Sequence, residues 1–403
     1  MAAITGIGVV SPHGDSHEAM FAALMRGESA IHKFTSDLPN AKPAAVASAA
    51  FEASEWFTPL QLAGVDRVSQ FAVAAAARAM IDAGAAGMYE PARIGIYVGC
   101  GMGGGSSLEA GYTSGLRSGR VPPLTIPAFM PNAPASHIAM RLKATGPVLT
   151  YSVACASSAV ALGEAAKAIR CGEVDMAIAG GSEALLVPGV VKAWQAMQTL
   201  SVFEPGRAAS SCRPFAADRS GFALGEGAAF VVLESPERAR ARGARRYAEL
   251  TGWGLSCDAT HLTKPDAGGQ QAAIRNALAV AGLEARDIGY CNAHGTATRI
   301  GDVVESEALN GAWGADIDRL RVSSTKSMHG HLLGAAGALE AVITVLALEK
   351  RQLPPNACCE TPEPACRLNL VRETGAAAPD LNAAISSSFA FGGTNAVLVF
   401  QRA

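Results

Sequence analysis

The chain alternates short apolar runs with longer Ala-rich stretches, and turn residues punctuate it. Residues 4–10 are apolar and β-branched and are halted by Ser11-Pro12, which predicts a strand. An Ala-rich helix is expected over 70–83, ending near Gly84. A buried strand over 93–98 runs into the glycines between Gly99 and Gly105. Another over 148–153 leads to Cys155, which opens a helix to about Arg170. Strands follow at 176–179, closed by Gly180-Gly181, then at 228–233 and 247–253. The later part repeats the plan, with a helix over 271–281 and a strand over 288–292 that leads to His294-Gly295-Thr296. A helix over 301–309, a strand over 322–324, a long helix over 331–348 and closing strands at 383–389 and 396–400 complete it. Such alternation predicts α/β layers with substantially parallel sheets. The order strand, reactive loop, buried helix occurs at 148–170 and again at 322–348, which points to an internal duplication. Residues 184–220 have mixed periodicity and read as an insertion.

Composition narrows the choices. With 49% hydrophobic and 17% charged residues over 403 positions, disorder is excluded. A net charge of −2 offers no electrostatic case for nucleic acid or an anionic membrane. The nine cysteines form no C-x-x-C pair and no zinc-like Cys/His spacing, so no metal is expected; reduced thiols in a cytoplasmic protein are. Residues 1–12 lack a charged leader and read as a first strand rather than a signal peptide. The greasy stretch 331–348 is long enough to span a bilayer, but Glu340 within it favours a core helix and no membrane span. The Gly101–Gly105 run has neither a Walker lysine nor G-x-G-x-x-G spacing, which argues against a nucleotide.

Three residues stand where α/β proteins keep reactive groups. Cys155, in Val153-Ala154-Cys155-Ala156-Ser157-Ser158, sits at a helix start, where unpaired N–H groups favour a thiolate. His294 follows an apolar strand, and His331 precedes a buried helix. A helix-start cysteine with two loop histidines forms a nucleophile and acid–base set. His329 competes with His331, and spacing does not choose between them. Glu340 lies in an apolar run and needs a partner, for which Lys326 is the nearest cation. A structural ion pair and a catalytic one are both compatible with this, and both hold if the pair positions His331. The glycines of Phe389-Ala390-Phe391-Gly392-Gly393-Thr394-Asn395 allow unusual backbone angles near a ligand or simply a turn between strands.

In order along the chain, Ala154-Cys155-Ala156-Ser157-Ser158, Asn292-Ala293-His294-Gly295-Thr296, Lys326-Ser327-Met328-His329-Gly330-His331 and Phe391-Gly392-Gly393-Thr394-Asn395 together resemble the β-ketoacyl-(acyl carrier protein) synthases, most closely the type II elongating enzymes. The resemblance implies a thiolase-like five-layered αβαβα body of two duplicated halves, 1–250 with the nucleophile and 251–403 with both histidines. It implies that Cys155 accepts the acyl chain, and that the N–H groups of Cys155 and Phe391 form an oxyanion hole. His294 and His331 would hold the malonyl thioester and the enolate formed as CO2 leaves, with Lys326 and Glu340 orienting His331. Thr296 and Thr298 match positions that contact the pantetheine arm, and Phe391 matches a gating residue. Phe389, Trp194 and Phe222 complete the expected substrate-binding set, with Trp194 shortening or reshaping the acyl pocket if it points inward. The resemblance implies no cofactor of the enzyme's own, since phosphopantetheine arrives on acyl carrier protein. The expected partners are that carrier and acyl and malonyl thioesters, in a homodimer or in a heterodimer with a ketosynthase-like subunit.

The chain departs from the family's common pattern in four places. His329 stands where Thr is common, and Ala390 where Gly is common, which would cost the gate loop freedom and alter gating or chain-length preference. Ala63 and Gly64 replace a basic pair before Asp66, and Gln198 replaces a basic residue. A dedicated carrier protein or a helping partner subunit in a specialised polyketide or polyene pathway is the expectation that follows. Two rivals share the fold. A coenzyme A thiolase would use a second cysteine, and Cys358, Cys359 and Cys366 lie outside any Gly-rich loop. A non-catalytic chain-length partner generally lacks the nucleophile that this chain keeps.

Overall fold

The computed structural model describes residues 1–372 and 374–403. Its main sheet has eleven strands: β1 (Ala2–Val10), β2 (Ile94–Gly99), β3 (Val148–Tyr151), β4 (Met176–Glu183), β5 (Gly227–Glu234), β6 (Ala248–Cys257), β7 (Tyr290–Asn292), β8 (Arg321–Ser323), β9 (Asn369–Leu370), β10 (Ala383–Phe389) and β11 (Thr394–Gln401). Their spatial order is β9-β8-β7-β10-β11-β6-β1-β5-β4-β2-β3.

That order is two copies of one plan. In the first, β1, β5 and β4 pair antiparallel, and β4, β2 and β3 pair parallel. In the second, β6, β11 and β10 pair antiparallel, and β10, β7 and β8 pair parallel. The copies meet edge to edge where Ala2, Ala3 and Ile4 pair with Leu250, Glu249 and Ala248. The sheets are therefore mixed, and less parallel than the strand–helix alternation implied: the last strand of each copy, β5 or β11, runs against the parallel core, and the first strand pairs with it antiparallel.

Five helices define the layers: α1 (Arg67–Ala83), α2 (Ser157–Arg170), α3 (Ala267–Ala281), α4 (Gly301–Trp313) and α5 (Ala336–Lys350). Helix α1 covers the outer face of the first copy on β1 and β5, and α3 covers that of the second on β6 and β11. Helices α2 and α5 lie between, and each touches strands of both copies. The result is the five-layered αβαβα body of the thiolase-like fold. Close layers require glycine at the helix–sheet contact. A Cβ on Gly8 would lie 2.0 Å from the Ala75 carbonyl oxygen, and one on Gly254 would lie 2.1 Å from that of Ala273. The two positions are equivalent, in Thr5-Gly6-Ile7-Gly8 and Thr251-Gly252-Trp253-Gly254, so the duplication survives as a short sequence echo.

Of the boundaries that differ from expectation, two bear on the site. Strand β4 continues through Gly180 and Gly181 to Glu183, because these glycines are needed for packing rather than for a stop: a Cβ on Gly180 would lie 2.0 Å from the Ala229 carbonyl oxygen. The helix predicted from 331 starts only at Ala336. A short helix Lys326–His329 and a 3₁₀ turn Leu333–Ala335 come first. The segment 184–220 contains a helix, Pro188–Ala196. Among the described residues, no helix is long and apolar enough to cross a membrane.

Candidate active site

The two copies bring their loops to one place. Cys155 lies in a 3₁₀ turn, Ala154–Ala156, between β3 and α2, and Ala154 takes a left-handed φ of +48°. His294 follows β7. His331 lies beyond β8, where its N–H donates to the Ala223 carbonyl at 2.7 Å and its own carbonyl accepts from Gly225 at 2.9 Å. His331 Nε2 is 3.0 Å from Cys155 Sγ. The thiol and one ring nitrogen of each histidine all lie within 4.8 Å of one another. The two imidazoles meet edge to face with ring centroids 5.4 Å apart.

The partners of each ring set its tautomer. The Leu333 N–H donates to His331 Nδ1 at 3.2 Å, so a neutral His331 carries its proton on Nε2, facing the thiol. Lys326 Nζ lies 3.4 Å from His294 Nδ1 and donates to the His294 carbonyl at 2.6 Å, which gives His294 the same tautomer. Lys326 also pairs with Glu340, and both side chains are fully buried. The Lys326–Glu340 pair thus acts on His294 directly. Its expected link to His331 is not a contact: the hydrogen-bonding partner on that ring's far nitrogen is the Leu333 backbone. His329 is turned away, with Nε2 2.9 Å from Thr325 Oγ1 and Nδ1 2.7 Å from the Gly330 carbonyl.

Burial controls the charges. It holds His294 and His331 well below the ordinary histidine range, and Lys326 adds to the effect, so both rings stay neutral. Burial pushes the Cys155 thiol up to about 12, opposed by Lys326 and by a hydrogen bond from the Phe391 N–H. Glu340 is raised to about 7 by burial, against the pull of Lys326. The Cys–His–His cluster has three metal-type donors, but the Lys326 cation beside His294 opposes a divalent ion there.

The expected substrate residues line one cavity of about 550 Å³ with the cluster: Thr296, Thr298, Trp194, Phe222, Phe389 and Phe391. Thr296 and Thr298 join hydroxyls at 3.0 Å. Phe222 meets His331 edge to face at 5.2 Å, and Phe389 meets His294 at 6.1 Å. Trp194 lies over Phe391 at 6.3 Å and against Phe222 at 5.6 Å. It also borders a second, mostly apolar cavity of about 670 Å³. Ala390 keeps a negative φ, and the left-handed angles of this loop fall on Gly392 (+89°) and Gly393 (+79°), so its Cβ does not restrict the turn as expected. Arg67, just past Ala63 and Gly64, is committed to Glu226 at 2.7 Å.

Sequence reading missed the carboxylates beneath the site. Glu305 on α4 accepts from the N–H groups of His294 and Gly295, both at 2.7 Å, and shapes the loop that carries the histidine. Asp302, one turn earlier, accepts from the Phe215 N–H at 2.7 Å. Glu183, at the end of β4, is also fully buried. The available signal was the spacing of Asp302 and Glu305 on the inner side of a helix that begins just after the histidine loop.

The sequence profile of the β-ketoacyl synthase N-terminal domain matches residues 2–239, and that of the C-terminal domain matches residues 247–360. The chain is 41% identical to Nodulation protein E of Rhizobium sp. (strain N33), covering 99% of this chain and 98% of that protein. It is 39% identical to 3-oxoacyl-[acyl-carrier-protein] synthase 2 of Rhizobium meliloti (strain 1021), with the same coverage. A solved structure, the ishigamide ketosynthase/chain length factor, superposes with a TM-score of 0.92 at 33% identity over 100% of this chain and 99% of that one. Fold and family profile thus define a thiolase-like condensing enzyme, an acyltransferase. The chain belongs to the β-ketoacyl synthase family.

Proposed function

We propose that this enzyme extends an acyl chain by decarboxylative Claisen condensation with malonyl-acyl carrier protein, in fatty-acid or specialised polyketide or polyene synthesis. The observation that carries the proposal is the meeting of one thiol with two neutral imidazoles whose Nδ1 atoms are both occupied by donors. Residues 1–250 supply the sulfur and residues 251–403 supply the rings. Sγ attacks the acyl thioester carbonyl, and the carrier thiol departs with the proton that Cys155 gives up. The oxyanion formed is held by the N–H groups of Cys155 and Phe391, each such donor contributing about 3 kcal/mol. The malonyl thioester then enters past Thr296 and Thr298, with its carbonyl oxygen on the Nε2–H groups of His294 and His331. Its C–C bond to the carboxylate breaks, CO2 leaves, and the electron pair becomes an enolate stabilised by those two donors. The carbanion attacks acyl-Cys155, the C–S bond breaks, and a 3-oxoacyl thioester leaves on the carrier. Because both Nε2 atoms carry protons, the rings act as hydrogen-bond donors rather than bases. No cofactor is required beyond the carrier's pantetheine.

In the cytoplasmic enzyme we envisage, the half-exposed edge strand β3, with Val148 and Leu149 at the surface, takes part in a subunit interface. The likeness to a ketosynthase/chain length factor supports a heterodimer beside the simpler homodimer. For carrier docking, the place of the missing basic pair is taken by Lys264 and Arg299. Both are exposed at the mouth of the catalytic cavity, and neither joins an ion pair among the described residues. A thiolase reading is disfavoured because Cys155 is the cavity's only cysteine among the described residues.

The decisive experiment is intact-mass analysis after incubation with a panel of acyl carrier thioesters, followed by malonyl carrier. Acylation at Cys155, absent in Cys155→Ala, and release of a two-carbon-extended 3-oxo product are expected. No acylation at Cys155, or undiminished decarboxylation in His294→Ala and His331→Ala, would refute the assignment.

A further inference from the structure

The duplication places a second turn opposite the catalytic one. Leu333 takes a φ of +47°, matching +48° at Ala154, and the 3₁₀ turn Leu333–Ala335 leads into α5 as Ala154–Ala156 leads into α2. Gly334 therefore holds the position in the second copy that Cys155 holds in the first. Its N–H is not free. It donates to Glu183 Oε2 at 3.0 Å, which also accepts from Gly101 at 2.9 Å, while Oε1 accepts from Met102 at 3.3 Å. Glu183 belongs to the first copy and is fully buried, and its recorded partners are backbone N–H groups with no cation among them. The fit is close: a Cβ on Gly334 would lie 2.6 Å from Glu183 Oε2, and one on Gly101 would lie 2.5 Å from it. A buried carboxylate satisfied by N–H groups alone is a costly arrangement unless those groups must be held in place. One residue before Gly334, the Leu333 N–H caps His331 Nδ1.

We propose that Glu183 is a positioning residue for His331. It clamps the second turn so that the Leu333 N–H stays on Nδ1 and the proton of His331 stays on Nε2, toward the sulfur. The catalytic consequence rests on the decarboxylation role proposed above; the tautomer does not. Two measurements separate them. Nitrogen-15 NMR of histidine-labelled wild-type enzyme should show His331 as the Nε2–H tautomer, and a Nδ1–H signal would overturn the proposal whatever the enzyme catalyses. In Glu183→Gln, the amide NH2 faces an N–H donor and one clamp bond is lost. We expect a mixed His331 tautomer and a kcat for malonyl-thioester decarboxylation reduced at least tenfold, with KM within threefold. An unchanged His331 spectrum with kcat within twofold of wild type would sink the idea. If Glu183→Gln does not fold, the wild-type spectrum still decides. Absence of decarboxylation by the wild type would count against the function and leave the tautomer test standing.

Discussion

At the scale of single residues, the site is built from charges taken out of water. Glu305 illustrates the cost. Burial raises it to about 7 from its ordinary 4.5, despite two N–H donors. A folded-state pKa above the unfolded one gives stability that is whole below about pH 4.5 and is lost as pH climbs through 7. The wild type should therefore lose stability relative to Glu305→Gln between pH 4.5 and 7.5, by an amount on the order of 3 kcal/mol. Denaturant melts of both proteins at several pH values measure this, and parallel curves would contradict it. His329 behaves differently. Burial drives it down to about 3, and both its nitrogens bond locally, so it stays neutral and out of the reaction. His329→Thr should keep kcat within about threefold in a condensation assay.

The candidate residues Cys155, His294 and His331 were legible in the sequence because each sits in a short loop directly after an apolar strand or before a helix, where the local pattern announces it. Which of His329 and His331 faces the sulfur was not legible. That depends on pairing with Ala223 and Gly225, more than a hundred residues earlier in the chain. The buried carboxylates were equally hidden: Glu183 and Glu305 bond to backbone N–H groups, which leave no mark in side-chain identity, and the cation beside Asp302, Arg219, lies 83 residues away in the chain.

Among the elements, the helix Pro188–Ala196 lines both the cavity at Cys155 and the apolar one beyond. It was not foreseen, because its inward face carries few large apolar residues beyond Val191 and Trp194. Among the described residues, Trp194 is the one that borders both cavities, so its indole stands between the space at Cys155 and the apolar space beyond. Trp194→Ala should join them, and competition between acyl carrier thioesters of graded length should then shift toward longer chains on Cys155. An unchanged preference would place the limit elsewhere. Element boundaries proved less legible than element types. Glycines that looked like strand stops at 180 and 181 are packing residues, and the start of the inner helix at 331 was blurred by an unbroken apolar run.

For the molecule as a whole, the layered plan and its doubling could be read from the chain, whereas the strand directions could not. An antiparallel return and a parallel crossover share the same apolar pattern when both faces are buried. Carrier recognition belongs to this scale. With Arg67 tied to Glu226, the docking proposed above assigns the steering to Lys264 and Arg299 at the cavity mouth. Lys264→Ala/Arg299→Ala should lower kcat/KM for a carrier-borne thioester about tenfold at low salt and less at high salt, while a free pantetheine thioester reacts as before. Equal losses with both substrates would rule out a docking role.

The twin turns have had unequal fates, and simple substitution does not reverse the inequality. Installing a sulfur in the second by Gly334→Cys would drive its Cβ to within 2.3 Å of the Gly101 nitrogen. The doubled plan thus leaves the chain a single workbench, with the mirrored turn bricked up by Glu183.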